Sequence, residues 1–493
     1  MKKPPIHKPM LHKPPIHKTP VHKPTLKRGL IWVVVVTVIT VLFLGARSYY
    51  WSEPAVDEDG LFAKIIMDHP KGPTYTFLAR ISHKEYYIYI AHPGIIYEVL
   101  KIPGFILNID RHKGGPIGQR SILSLRIAML MFQYAVILFL LLALMPHSRE
   151  PQPRDWLRFG TCAGVILAWT MAPQSIVSSL DLQIDGTVGV LMVGGLGVAV
   201  LLASRRPDSG SRLGLVFLAA GFCGCGKTTW TLCVIAAVCL SGVCSLALAF
   251  RPRNNLRTTR VAAICGAIIG GMAVGNLIGY RFDPENYRRS LERLASFAGS
   301  QSGTMVDNVV QKVPIVWPIL VLLLLAATLL AYDSFRRDPV TDAHSLFLFF
   351  LAFFLTAHLI FGSWYFPRYF APGSIAALIS VVSLLDHRTS RGLLWATALL
   401  SAIAVVLAVR VIYERGVAVR NGLIAQRIVA IEEDNGRRID YSKSHGCTPL
   451  LGVAYAIEHV DEDFVANSGG LEGARGLLAP LGRTPCDPSV LYR

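Results

Sequence analysis

Charge is scarce in this sequence. Only 16% of its 493 residues are Asp, Glu, Lys or Arg, against about 25% in ordinary soluble domains, which excludes a soluble globular protein with a normal surface. Acid is missing altogether from residues 1–28. Also missing is a basic face with interleaved aromatics, so the net charge of +17 does not point to nucleic acid. Zinc-ligand spacing is lacking as well: Cys223-Gly-Cys225 has no His or Cys partners at the required distance, and we read it as packing. With Cys162, Cys233, Cys239, Cys244 and Cys265 it lies in or beside apolar runs, where Cys behaves as a small hydrophobe.

What is present is apolar. Hydrophobic residues make up 52% of the chain and the mean hydropathy is +0.45, arranged as repeated runs of membrane-spanning length. The runs predict spans at about 29–46, 123–145, 157–173, 186–203, 213–228, 230–250, 260–280, 312–332, 343–361, 369–385 and 392–413. Before them, a tail repeats His7-Lys8-Pro9, His12-Lys13-Pro14, His17-Lys18-Thr19-Pro20 and His22-Lys23-Pro24. Proline at this density favours extended, disordered chain, and the positive charge favours anionic headgroups.

With the N-terminus inside, every short loop assigned to the inside is basic, from Arg149, Arg154 and Arg158 through Arg205, Arg206 and Arg212 to Arg388 and Arg391. The expected fold is therefore all-α and polytopic, with about eleven transmembrane helices, N-terminus in and C-terminus out. Residues 1–28 form the tail, 29–413 the membrane domain and 414–493 a small external region. If that region faces an oxidising compartment, Cys447 and Cys486 can pair as a disulfide.

This topology gathers the chemistry on the outer face. Asp57-Glu58-Asp59 follows the first span, and a carboxylate cluster at a membrane surface is costly unless it binds something. His92-Pro93-Gly94-Ile95-Ile96-Tyr97 closes the same loop, which should also contain helices lying along the membrane; so should Glu285–Ala298, where Leu291 and Leu294 fall at helical spacing. Arg126 opens the second span, Asp181 and Asp185 precede the fourth, and Arg368-Tyr369-Phe370-Ala371-Pro372 opens a late one. Gly221-Phe-Cys-Gly-Cys-Gly226-Lys227-Thr228 matches the phosphate-cradling pattern G-x-x-x-x-G-K-[ST]. Its flanks are membrane-type runs rather than a strand and a soluble helix, so no nucleotide is expected there, and Lys227 remains as a cation at the mouth of the membrane.

Taken together, these elements resemble the C-type glycosyltransferase superfamily, specifically the bacterial relatives of protein O-mannosyltransferases and of lipid A aminoarabinose or galacturonosyl transferases. The family's acidic pair and aromatic-Ala element correspond to Glu58-Asp59-Gly-Leu-Phe62-Ala63, its Pro-Pro-Leu-Tyr-like element to His92–Tyr97, and its Arg-Tyr-x-x-Pro to Arg368–Pro372. Its helix-two Arg corresponds to Arg126, its helix-four Asp to Asp185, and its Gly-rich helix ending in Lys to Gly221–Lys227. The likeness runs from about residue 30 to 385 and departs at Gly94, where the family has a second Pro, and in having three acids rather than two.

The resemblance implies a multi-pass enzyme of the bacterial inner membrane. It would transfer a sugar from a polyprenyl-phosphate donor to a lipid, glycan or protein acceptor on the periplasmic side. One of Asp57, Glu58 and Asp59 acts as base, with Asp57 and Asp59 favoured. Asp185 either orients the acceptor or shares a divalent cation, magnesium or manganese, with Asp57 and Asp59. Lys227, Arg368 and Tyr369, with His92 and Arg126, hold the donor phosphate and substrate. The rival expectations are a transporter or flippase of lipid-linked glycans, or a glycan polymerase.

Overall fold

The computed structural model describes residues 24–48, 119–146, 151–172, 175–176, 179, 184–205, 210–249, 255–280, 284–285, 287–288, 291–292, 305–335, 343–361, 367–386 and 390–414. Asp57, Glu58, Asp59, His92, Asp181, Cys447 and Cys486 lie outside the described residues, as do the first loop and the C-terminal region.

The described chain folds into eleven long helices with no strand among them. They are α1 (Pro24–Ser48), α2 (Gln119–Leu144), α3 (Pro153–Met171), α4 (Gly189–Arg205), α5 (Gly210–Gly224), α6 (Thr228–Ala249), α7 (Asn255–Gly279), α8 (Met305–Phe335), α9 (Ala343–Phe361), α10 (Ala371–Asp386) and α11 (Arg391–Glu414). A π-turn, Ile184–Val188, precedes α4, and a 3-10 turn, Pro367–Phe370, precedes α10. Helix α1 begins inside the stretch expected to be extended, with Pro24 at its first position, where the missing N–H has no role.

Six helices, α1, α2, α4, α6, α7 and α11, are long and apolar enough to cross a membrane, and α5, α8, α9 and α10 contain shorter apolar stretches. The chain is an α-helical, multi-pass membrane protein. Burial separates helices of similar hydropathy: the α1 span is 17% buried and the α4 span 83%. A helix that is apolar all round yet mostly uncovered has its exposed face suited to lipid rather than water. Leu30, Val41, Leu399 and Val406 form such faces on α1 and α11.

The centre is α10, in which every residue from Ala371 to Leu385 is buried. It is packed by α3, α4, α8 and α9. Small residues make this closeness feasible, since dispersion at short range and not water exclusion holds helices together in lipid. A Cβ on Gly189 of α4 would lie 2.7 Å from Pro372 Cγ, one on Gly197 2.8 Å from Ile379 Cδ1, and one on Gly373 2.7 Å from Thr356 Oγ1 of α9.

Cross-helix contacts fix an alternating up-and-down order. At one end of the bundle Arg205 and Arg212 sit near the α4–α5 connection: Arg205 pairs with Asp386 at 2.5 Å and Arg212 donates to Leu202 O. At the other end meet the C-terminus of α1, the C-terminus of α3, the π-turn, the α5–α6 turn, Tyr280 after α7 and the 3-10 turn. The second of these ends holds Lys227 and Tyr369 and the backbone of Asp185 and Arg368.

Candidate functional site

The Gly221–Thr228 segment is a helix end and a tight turn. Cys225 N–H donates to Gly221 O at 3.1 Å and Gly226 N–H to Cys223 O at 3.0 Å, so these amides are spent on closing the end of α5. The glycines serve packing. A Cβ on Gly224 would stand 2.6 Å from Met272 O of α7, and Gly271 and Gly275 of α7 press on the backbone of Phe217 and Gly221. Gly226 lies against the buried ring of Trp230, 2.7 Å from where a Cβ would be. A strand, a free amide cradle and a following soluble helix are what phosphate binding of the P-loop type needs, and this segment is built otherwise.

Lys227 heads α6: its carbonyl accepts from Trp230 N–H at 2.9 Å. The side chain projects over the ring of Tyr369, with Nζ 4.7 Å from the centroid, inside the range of a cation–π contact. Tyr369 is held there by the 3-10 turn, whose Pro367 pre-sets one backbone angle and whose Phe370 is fully buried as α10 begins. Two residues expected to share a site, 142 positions apart, therefore touch.

The π-turn packs against the 3-10 turn and against α2. Gly186 departs from helical angles within it (φ −78°, ψ −112°), and Thr187 is buried, donating to Ser179 O at 2.9 Å. Where α4 starts, Gly189 fits between Pro372 and Trp230. The backbone of Asp185 thus belongs to a segment touching the turn that carries Arg368 and Tyr369, and π-helical irregularities of this kind are common at functional sites. The side chains of Asp185 and Arg368 lie outside the described residues. Arg126 is described and is buried on α2, the helix that also meets the π-turn.

Two further cations escaped the reading of the sequence. Arg47, in the last turn of α1, is fully buried. Its Nε donates to Ser179 Oγ at 2.9 Å, Nη1 to Thr170 O at 3.0 Å and Phe43 O at 3.3 Å, and Nη2 to Ser175 Oγ at 3.2 Å, Ser175 O at 3.4 Å and Gln133 Oε1 at 3.4 Å. The guanidinium also stacks on Phe43, 3.8 Å from the ring centroid. These partners are neutral, and several are carbonyls at or beyond the end of α3, where a helix dipole favours a cation. Lys312, buried on α8, donates to Leu359 O at 2.8 Å and Ile360 O at 3.4 Å, closing the C-terminus of α9. The only signal in the sequence is a lone basic residue at each span end, the pattern of an interface anchor.

Beside this cluster, α6 and α7 line a groove of about 450 Å³ that Tyr280 and Tyr287 also border. The Tyr280 hydroxyl is hydrogen-bonded to Thr228, the residue after Lys227, and its ring meets Tyr287 edge-on with centroids 5.3 Å apart. Within the Glu285–Ala298 stretch, Arg288 bonds Glu285 at 2.7 Å and also Glu292, the spacings of helical turns. The seven cysteines at positions 162 to 265 are free thiols, four of them buried, in keeping with a packing role. Among the described residues no three His, Cys, Asp or Glu side chains come together. No family model matches the chain, and no curated protein matches it.

Proposed function

We propose that the chain is a membrane glycosyltransferase of the C-type class, using a polyprenyl-phosphate sugar as donor and a lipid, glycan or protein as acceptor at the external face of a bacterial inner membrane. In this reading all eleven helices span, the N-terminus is cytoplasmic and the C-terminus periplasmic. One observation carries it: the Lys227 ammonium stands over Tyr369 beside the π-turn that contains Asp185, so three segments far apart in the chain converge at one end of the bundle. A cation on an aromatic face, beside lipid-facing helices, suits an amphiphile with an anionic head.

The acceptor's hydroxyl oxygen attacks the anomeric carbon while a carboxylate of Asp57, Glu58 or Asp59 takes its proton. The bond from that carbon to the phosphate oxygen breaks, and the electron pair leaves with the phosphate. Lys227 and Arg368 neutralise the charge that grows there. The carboxylates of Asp57, Asp59 and Asp185 are oxygen donors of the kind magnesium or manganese takes; a bound ion would add positive charge at the leaving phosphate. A transporter fits less well, because such proteins keep ionisable groups near the midplane, whereas Arg47, Lys227 and Lys312 gather at one end.

The test compares membrane glycolipids and surface glycans from cells with the gene deleted and cells carrying Asp57→Asn, Glu58→Gln or Asp59→Asn at equal protein level. Loss of a glycan in the deletion and in at least one variant is expected. A deletion phenotype that all three variants restore fully removes the carboxylate from the mechanism.

A further inference from the structure

At the end of the bundle away from Lys227, four helices bring cations to one level. Thr161 of α3 donates to Leu394 O of α11 at 3.4 Å, and a Cβ on Gly164 would lie 3.6 Å from Ser401 Cβ. The two helices therefore run parallel, and three residues before Thr161 and Leu394 stand Arg158 and Arg391, level with each other. Toward α10, Cys162 Sγ meets Val382 O at 3.7 Å and Trp169 Nε1 donates to Ser374 Oγ at 2.7 Å. That packing is antiparallel, so one turn from Cys162 and Val382 it sets Arg158 level with Asp386, whose carboxylate Arg205 of α4 holds at 2.5 Å. Arg154 comes one turn before Arg158 on the same face of α3. Among the described residues gathered here, four arginines, 154, 158, 205 and 391, face two carboxylates, Asp155 and Asp386.

Arg158 has donors to spare. Its Nη1 stands 4.0 Å from Asp155 Oδ1, too far for a hydrogen bond, and among the described residues its guanidinium makes none. Nε is sealed from solvent, yet the side chain is 21% exposed, so the guanidinium opens through Nη1 and Nη2. That edge carries two parallel N–H donors, a fork that matches two oxygens of a phosphate.

The neighbouring surface says which kind of phosphate fits. From Arg391 the exposed face of α11 continues through Trp395, Leu399 and Val406, which are 64%, 64% and 67% exposed and fall on one stripe of the helix. A phospholipid meets both features at once, its headgroup at the arginines and its acyl chain on the stripe. A soluble phosphate gains nothing from the apolar face, and a neutral lipid leaves the excess charge uncompensated.

We infer that Arg158 and Arg391 bind the phosphate of an anionic phospholipid. Nη1 and Nη2 of Arg158 take two phosphate oxygens, Arg391 flanks them from α11, and an acyl chain lies along Trp395, Leu399 and Val406. This site is separate from the Lys227 cluster, and the inference does not rest on the sugar-transfer reading.

The experiment uses the full chain purified in a neutral detergent, with native mass spectrometry reading the affinity for phosphatidylglycerol and for phosphatidylcholine of the same acyl chains. The wild type should hold the anionic lipid about tenfold more tightly. Arg158→Gln should weaken that lipid about tenfold, the worth of charge-assisted hydrogen bonds, and Arg391→Gln about fivefold, the worth of one cation near the surface. Arg288→Gln, which changes an exposed cation elsewhere, should alter neither affinity. Glycerol 3-phosphate should not compete; if it displaces the lipid, the ligand is a free phosphate and the inference falls. Equal wild-type affinity for the two lipids also overturns it, as does an Arg391→Gln chain or a folded Arg158→Gln chain that holds phosphatidylglycerol as tightly as wild type. Arg391 is exposed at its helix end, so its arm and the wild-type comparison decide even where Arg158→Gln does not fold.

Discussion

Substituting Gly224 by Ala should destabilise the protein, although glycine-to-alanine changes in helices normally do the opposite. The new Cβ would stand 2.6 Å from Met272 O, 3.1 Å from Met272 Cα and 3.2 Å from Gly275 Cα. All three are backbone atoms, so no side chain can rotate away. Ordinary contact begins near 3.4 Å, so α5 and α7 must part by about 0.8 Å, the difference between 3.4 and 2.6 Å. Overpacking of this kind costs about 1–3 kcal/mol. The displacement falls at the end of α5, three residues before Lys227, and a misplacement near 1 Å can cost about 100-fold in turnover. The control is Gly214→Ala on the same helix, where nothing lies within 4 Å of the new atom; it should be neutral or gain about 0.5–1 kcal/mol. Thermal unfolding of both variants in one detergent decides the matter. Equal midpoints for Gly224→Ala and Gly214→Ala would refute close α5–α7 packing as the reason for these glycines.

Other perturbations address the cations. Arg47→Leu should cost on the order of 5 kcal/mol, since hydrogen bonds from a charged donor contribute about 1.5–3 kcal/mol each; yield and detergent stability report it, and Arg47→Lys should recover only part because Lys lacks the planar fork. On the proposed sugar transfer, Lys227→Met should lower glycan product about 100-fold at unchanged protein level. Tyr369→Phe should keep the cation–π contact while Tyr369→Leu weakens donor binding about three- to fivefold, the worth of roughly 0.5–1 kcal/mol. At the opposite end, a double-mutant cycle on Arg205 and Asp386 should give a coupling of about 1 kcal/mol that shrinks as salt rises.

The helices were legible because a span must be apolar for about 20 residues, whatever its neighbours are. Lys227 and Tyr369 were legible as candidates for a similar reason: charge and aromatic clusters at a span end stand out. That the two side chains meet was not, since it depends on how α6 and α10 pack around Gly189 and Trp230. Nor was the central place of α10, whose hydropathy resembles that of peripheral helices; only its small residues hint at close neighbours. Arg47 was invisible for a different cause. Its partners are hydroxyls and carbonyls from Gln133, Thr170, Ser175 and Ser179, residue types that carry no charge to pair with and lie far along the chain.

Arg47 also constrains the order in which the protein can be assembled. Helix α1 is made before α2 and α3, yet the Arg47 guanidinium needs acceptors that are synthesised up to 132 residues later. Until Ser175 and Ser179 leave the ribosome, α1 can sit in the bilayer only with that side chain reaching for interfacial water. Docking of α1 is therefore a late event, completed by the segment that follows α3. Nascent chains halted soon after residue 172 should leave an α1–α3 cross-link unformed, and chains carried well past residue 187 should form it; a cross-link already present in the shorter chains would show that α1 docks without its arginine satisfied.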